Sequence, residues 1–362
     1  MVYYLNIFVE IFLGICLLGG YTINGNLKNE RLLYKQKEIY CGICGILWIL
    51  ISGLRGISVG ADTLAYKQFF ENVKGISLNS LLQIFKDKYL YHKDIKDPGY
   101  NLFVKLFQSF SQDYQVFLIF VAVIFMLPFT IWIIRESRNP LISFILYSSL
   151  FYAFFSITGI RQTISTALVV LIGDRLIKEK KLIPFVIITL LASTIHASAL
   201  VFLPFYFISR IKVDKITLSM WTVLILLSFI FKNQIKSFFV GISGYDDYSK
   251  NYEGAGTYTF TFLLLLILIL SLVAYKKDLN LEQNKRLYNA LFLATFFVPL
   301  TWLEPSAMRV VQYYSIYLVL LIPELIESAF DKKSQIIVSG FITVLLVFLI
   351  FKSDPQYNFY WQ

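Results

Sequence analysis

The chain reads as an all-α protein, a polytopic transmembrane helical bundle of about 12 spans, with a single integral membrane domain over 1–362. Three observations predict this. Of the 362 residues, 57% are hydrophobic and only 15% charged, with mean hydropathy +0.66, whereas soluble domains carry roughly 25% charged residues. Apolar stretches of 16–22 residues recur from end to end, close to the about 20 that a helix needs to cross a bilayer. Basic residues gather in the breaks between alternate stretches, as they do in loops that stay cytoplasmic. Twelve spans consume roughly 240 residues, which leaves no room for a separate soluble catalytic domain.

The first stretch, Val2 to Ile23, has no basic leader and no small-x-small cleavage site, so it is read as an uncleaved span. Basic breaks follow at Asn24–Glu38, Arg135–Asn139, Lys178–Lys181, Arg210–Lys215, Lys276–Arg286 and Asp331–Lys333. Assigning them all to the cytoplasm gives spans at roughly 3–22, 39–54, 114–134, 141–157, 162–178, 183–195, 197–208, 216–231, 258–275, 287–303, 308–327 and 335–351. Both termini then lie outside, with two longer external loops at about 55–113 and 232–258. The apolar stretch Tyr100–Phe110 inside the first loop is placed along the interface or dipping into the membrane. One segment decides the rest of the topology. Leu182–Ser209 has bases at both ends, and as a single helix it would invert everything downstream. Its polar break, Ser193 to Ser198, favours a hairpin with two short or re-entrant arms, because irregular backbone at membrane depth needs protein or water beside it. The net charge of +10 is read as cytoplasmic anchoring rather than a nucleic-acid surface. Cys41 and Cys44 form a CxxC without a second pair and are read as inert helix residues, since a zinc site wants four ligands.

Residues able to do chemistry gather at the ends of spans on one face. The block Gly53 to Tyr66 places Arg55 on the outer side, against the charge bias, between glycines that permit a tight exit. Asp62 either caps the helix that begins at Thr63 or is available for chemistry. Thr158-Gly159-Ile160-Arg161-Gln162-Thr163 forms a turn between spans. His196 stands in the polar break, as a structural residue or a base; the other histidine, His92, lies in a charged, solvated stretch. Trp302 to Arg309 carries Glu304, and Arg309, Tyr313 and Tyr317 are spaced by four, so they share one helix face. Those tyrosines form either an aromatic belt or a platform for sugars. Glu10, an acid inside a span, is a functional candidate or snorkels to the interface. Asp246-Asp247 could bind a divalent ion, but no third ligand is evident. Three guanidiniums at one face, from Arg55, Arg161 and Arg309, suit a polyanionic headgroup such as a lipid pyrophosphate, because arginine binds phosphate in bidentate fashion. No P-loop, GxSxG or HExxH motif is present.

The run Leu54-Arg55-Gly56-Ile57-Ser58-Val59-Gly60-Ala61-Asp62-Thr63 with Tyr66 resembles the "R…vGtDt…Y" signature of the EpsG family, the Wzy-like polymerases of bacterial exopolysaccharide and capsule. The resemblance continues in order through Pro98-Gly99-Tyr100, Ile160-Arg161-Gln162, Ile195-His196-Ala197-Ser198-Ala199-Leu200 and Arg309 before Tyr313-Tyr314, and so covers about 50 to 320. It departs at Ala61, where Thr is common, and at Asp97, near which a Glu often sits. What it implies is a glycosyltransferase of the bacterial cytoplasmic (inner) membrane that joins undecaprenyl-pyrophosphate-linked oligosaccharide repeat units at the external face. The growing chain passes from its lipid carrier to the non-reducing end of an incoming unit. On that reading His196 and Asp62, with Glu304 behind them, are the catalytic candidates. Arg55, Arg161, Gln162, Arg309 and Thr63 bind substrate, and Tyr66, Tyr313 and Tyr317 stack on sugar. No metal, nucleotide or nucleic acid is required; a chain-length regulator and a flippase of the same pathway are candidate partners. The rival readings are a lipid-linked oligosaccharide flippase or transporter, which would place charges at the midplane and show repeats, and a membrane O-acyltransferase.

Overall fold

Local chemistry sets many of the helix boundaries. In a computed structural model that describes residues 1–23, 30–243, 257–278, 280–353 and 356–362, the Asp113 carboxylate accepts from the Gln115 and Val116 amides and starts a 23-residue helix there. Asn139 does the same for Ile142 ahead of Pro140, a residue whose fixed φ suits a first turn. Asp214 and Thr217 form a reciprocal capping box.

In order, the helices are α1 (Val2–Ile23), α2 (Glu30–Gly53), α3 (Thr63–Lys74), α4 (Leu78–Tyr89), α5 (Pro98–Gln108), α6 (Tyr114–Glu136), α7 (Pro140–Ser149), α8 (Phe151–Thr158), α9 (Ile160–Thr166), α10 (Gly173–Lys178), α11 (Leu182–Ile195), α12 (Phe205–Ile208), α13 (Lys215–Ile230), α14 (Lys232–Ser243), α15 (Tyr258–Ala274), α16 (Leu281–Phe297), α17 (Met308–Ser315), α18 (Leu318–Ala329) and α19 (Lys332–Ser353). A π-helical segment, Ala167–Ile172, joins α9 to α10. No strand forms among the described residues. The all-helical expectation therefore stands.

The expected number of spans is not reproduced by length and composition. Among the described residues, four helices are long and apolar enough to cross a bilayer, and seven if three bent pairs each count as one. The pairs α7–α8, α13–α14 and α17–α18 bend by 60°, 85° and 49°. The other expected segments form shorter elements. α11, with 14 residues, is about 21 Å long, short of a hydrocarbon core of about 30 Å.

The polar break at 193–198 does turn the chain. α11 ends at Ile195, His196 is extended, and a 3₁₀ turn over Ala197–Phe202 leads into α12. Phe185 at the start of α11 lies 5.3 Å from the Tyr206 ring and 6.2 Å from Phe202, so the two arms run back along each other.

The first long loop is not loose. α3, α4 and α5 enclose their own apolar core of Phe70, Val73, Leu81, Tyr100, Val104 and Phe107, seated on Tyr114 and Phe117 at the start of α6. Tyr100–Phe110, expected along the interface or dipping into the membrane, is largely this α5. The helix approaches the hairpin at Gly99, where a Cβ would stand 2.6 Å from Thr194 Cβ and 2.7 Å from its carbonyl carbon. Gly99→Ala should therefore destabilise the protein by about 1–3 kcal/mol through overpacking, read as a lowered melting temperature of the purified protein. An unchanged melting temperature would show that this contact gives way freely. The second loop begins with α14, and its Asp246-Asp247 pair lies outside the described residues.

The bundle has two chemically distinct ends, about 34 Å apart along the 23 residues of α6. At one end Gln115 donates to the carbonyl of Gly53 and lies 3.4 Å from that of Arg55. The C-terminal tail folds against the same turn, with the Gly56 amide on Asn358 O at 2.8 Å and Tyr360 N on Leu54 O at 3.0 Å. At the other end the breaks after α6, α10, α15 and α18 come together. Arg286 bridges Asp174 at 3.0 Å and Glu136 at 2.7 Å, Lys178 joins Glu136 at 2.5 Å, and Arg138 reaches Glu324 at 3.1 Å. Cys41 and Cys44 are packed in the main core.

Candidate active site

At the end opposite the basic breaks, one carboxylate gathers three parts of the chain. Asp97 precedes Pro98 at the start of α5 and adopts φ +47°, in the left-handed region that Asp tolerates better than most residues. Its side chain makes no cap bond to its own helix. Instead Oδ2 takes Arg161 Nη1 at 3.1 Å and faces His196 Nδ1 at 3.5 Å, while Oδ1 accepts from the Ala197 amide at 3.1 Å. Asp97 is 3% exposed and His196 7%. Burial pushes the Asp97 carboxyl up, but the His196 hydrogen bond, the charges of His196 and Arg161, and the Ala197 N–H outweigh it and hold the group below the usual carboxylate range. His196 stands in the break between helices. Burial pulls its imidazole down, more than Asp97 raises it, so the neutral form prevails near pH 7. With Nδ1 turned to Asp97, Nε2 is buried and has no partner among the described residues.

Arg161 follows the Gly159 turn at the start of α9. Its guanidinium lies over Tyr100 at 4.8 Å, Phe69 at 5.4 Å and Tyr66 at 5.9 Å, and about a fifth of its side chain remains exposed. Such rings add to the ion pair in fixing a cation. Gln162 turns the other way, donating to Arg309 O at 3.0 Å and lying 3.4 Å from Ser198 Oγ, which in turn meets Tyr313 Oη at 3.2 Å. Arg309 acts electrostatically on His196, Tyr66 and Tyr313. Five stretches separated in sequence thus meet: 62–69, 97–100, 161–162, 196–198 and 309–313. These motifs, distant in sequence, lie at one end of the bundle.

A model of the EpsG family matches residues 38–359. The chain belongs to the EpsG family. No curated protein and no solved structure matches it. The EpsG match runs from within α2 to the C-terminal tail and takes in every residue of the cluster. The apolar helices and EpsG membership together mark an integral membrane protein.

Several residues expected at the site of this EpsG protein are engaged elsewhere. Arg55 is 1% exposed. Its guanidinium binds the Ser52 carbonyl and, at 2.8 Å, the Ile157 carbonyl. Carbonyls in the last turn of a helix lack intrahelical partners, and Arg55 satisfies one of these while tying α2 to the turn before Arg161. Arg55, expected at phosphate, thus holds the ends of α2 and α8 together through their carbonyls. Thr63 is buried, its hydroxyl bound to Val59 O at 2.5 Å, across a turn that Gly60 makes possible with φ +90°. Tyr317 is also diverted. α17 ends at Ser315, and beyond this break the Tyr317 hydroxyl donates to Asp174 at 3.1 Å, in the basic-end network. Tyr313 is fully buried, its hydroxyl beside Ser198, so it forms a wall rather than an open platform; Tyr66 is only half-buried. Asp62 makes no side-chain cap bond to α3. Glu304 accepts from the Ser306 amide at 3.2 Å, and its second oxygen is buried without a partner among the described residues.

Asp97, Ser198 and Tyr100 were not expected as site residues. Each had a signal in the sequence: Asp97 is an acid immediately before Pro-Gly-Tyr, and Tyr100 and Ser198 stand within motifs that carry the family resemblance. Tyr313→Phe should lower the activity of the site several-fold, because it removes the hydroxyl beside Ser198 and Gln162. Tyr317→Phe should leave activity per folded molecule unchanged and cost about 1 kcal/mol of stability. Comparing activity with melting temperature for both variants checks the division, and equal loss of activity in both would contradict it.

Proposed function

We propose that this EpsG family protein is a polysaccharide polymerase that joins lipid-pyrophosphate-linked oligosaccharide repeat units, with undecaprenyl as the carrier, in exopolysaccharide or capsule biosynthesis. The observation that carries the reading is the buried Asp97–His196–Arg161 cluster, which sets an unpartnered imidazole nitrogen next to a guanidinium. Family membership supports an exopolysaccharide-related polymerase, and the distribution of basic breaks supports a site on the external side of the bacterial cytoplasmic membrane.

In this reaction His196 Nε2, neutral at pH 7, takes the proton of the acceptor sugar hydroxyl. That oxygen attacks the anomeric carbon of the donor. The bond from the anomeric carbon to the phosphate oxygen breaks, and the lipid diphosphate leaves with the electron pair. Arg161 and Arg309 stabilise its charge, the role in which preorganised donors contribute most. Asp97 fixes the His196 ring and Arg161 together. Tyr66 lines the sugar subsite, Gln162 and Ser198 orient the acceptor, and Asp62 and Glu304 are reserve carboxylates. A chain-length regulator and a flippase would act on the same polymer.

The test is purified protein with lipid-diphosphate-linked repeat units, with products resolved by length. A ladder of longer chains is expected. Repeat units that cross the bilayer without being joined would instead mark a transporter. His196→Gln should lower the rate by about 10²–10⁴-fold, the usual contribution of a positioned base. The wild-type rate should fall on acidification only below about pH 6.5, the ordinary imidazole value, because the site keeps His196 neutral. A wild-type rate in the glutamine variant would remove His196 from the mechanism.

A further inference from the structure

A cavity of about 1520 Å³ lies at the basic end, lined by none of the residues of the cluster just described. Two kinds of wall line it. α1 contributes Ile11, Ile15 and Leu18, and α19 contributes Ile336 and Val344. These helices meet towards the other end, where Tyr4 stacks on Phe351 at 4.6 Å. Between their cavity-lining stretches runs an apolar slot, about 10 Å long from Ile11 to Leu18. Its sides are notched by glycines: at Gly19 and at Gly340 an added Cβ would meet no atom within 4 Å.

The inner wall is charged, with nine basic side chains against four carboxylates. All four acids already hold bases: Glu136 holds Arg286 and Lys178, Glu324 and Glu327 hold Arg138, and Glu282 holds Lys285. Arg135 and Lys180 line the same cavity, and neither has an ion pair among the described residues. Lys37 reaches in from α2, its amine on the Ser137 carbonyl at 2.7 Å. A positive surplus thus faces an apolar slot within α1 and α19, two of the helices long and apolar enough to cross a bilayer.

We infer that this cavity binds an anionic phospholipid, its phosphate among Arg135, Lys180 and Lys37 and an acyl chain in the slot between α1 and α19. The pairing of chemistries decides the occupant. Juxtamembrane bases attract anionic headgroups, and a hydrocarbon chain fills the slot that a soluble anion would leave empty. An acidic peptide would satisfy the charged wall but not the apolar one. The site is independent of the polymerase reading, since none of the reaction cluster's residues lines it.

The experiment uses the full chain in a neutral detergent. Melting temperature is measured against phosphatidylglycerol, phosphatidylcholine, inorganic phosphate and a glutamate-rich peptide. Phosphatidylglycerol should raise the melting temperature and the other three should not. Gly340→Leu, which fills the slot, and the double variant Arg135→Gln with Lys180→Gln should each weaken phosphatidylglycerol binding at least about tenfold without changing the lipid-free melting temperature. If Gly340→Leu itself lowers that temperature, Gly19→Leu fills the slot from the opposite helix. Equal stabilisation by phosphatidylcholine, full stabilisation by phosphate alone or by the peptide, or slot-filled and charge-deleted variants that bind like the wild type would each overturn the site.

Discussion

Replacing Asp97 with alanine is expected to lower polymer formation at least about hundredfold, the loss typical of an uncoupled acid–base group. Three donors converge on this carboxylate: Arg161, His196 and the Ala197 amide. All lie in a buried pocket, so deletion leaves a guanidinium, an imidazole and an amide without their acceptor. Removing one partner of a buried pair typically costs about 3–5 kcal/mol, and part of that will appear as a lower melting temperature. Asp97→Asn separates the two effects. It keeps an acceptor for the Ala197 amide but gives up the charge that holds Arg161, so folding should largely survive while the ladder of products does not. The sign with pH follows from the depressed carboxyl. Its stabilising contribution is complete above the unfolded-state value of about 3.9 and fades only as pH falls through the lower folded value, so acid should loosen this end late. Wild-type polymer formation by both variants would remove Asp97 from the site.

Replacing Asp174 with alanine should produce the largest loss of stability without touching the chemistry. Asp174 is 1% exposed and takes hydrogen bonds from Trp132 Nε1 at 2.9 Å, Arg286 Nε at 3.0 Å and the Tyr317 hydroxyl at 3.1 Å. Four helical segments are joined through this one side chain: α6, α10, α16 and the α17–α18 break. Its loss leaves the Arg286 guanidinium, itself only 8% exposed, with Glu136 as its remaining carboxylate. A cost of about 3–5 kcal/mol is expected, measured as a fall in melting temperature. Molecules that remain folded should polymerise at the wild-type rate, because the three partners of Asp174, namely Trp132, Arg286 and Tyr317, lie outside the reaction cluster. A selective loss of rate at full stability would show instead that the two ends are coupled.

The same physics explains what could be read from the letters. α6 announces itself through Asp113, a 23-residue apolar run and Arg135 at its end. The hairpin announces itself through a polar break inside an apolar run, where backbone groups need partners. His196, Arg161 and Gln162 stand out because polar side chains are scarce among apolar neighbours, and the structure brings all three together. Arg55 and Tyr317 stand out for the same reason but belong to the scaffold. A charged or hydroxylated residue near a span end looks alike in sequence whether it meets a ligand or a helix carbonyl. The spacing rule that placed Tyr317 beside Tyr313 assumes an unbroken helix, and α17 stops at Ser315. Asp97 was legible as a position but not as a hub, because its partners lie 64, 99 and 100 residues away.

The sequence by itself determined an all-helical membrane protein, two chemically opposite ends and the motifs from which its site is built. Those follow from composition, from hydrophobic periodicity and from the distribution of charge, all local properties of the chain. Only the tertiary structure decided which arginine is spent on backbone and which keeps an exposed edge. It also set the pairing of Asp97 with His196 and opened the cavity between α1 and α19. These depend on where helices bend and cross, and those angles are set by packing among residues far apart in the chain.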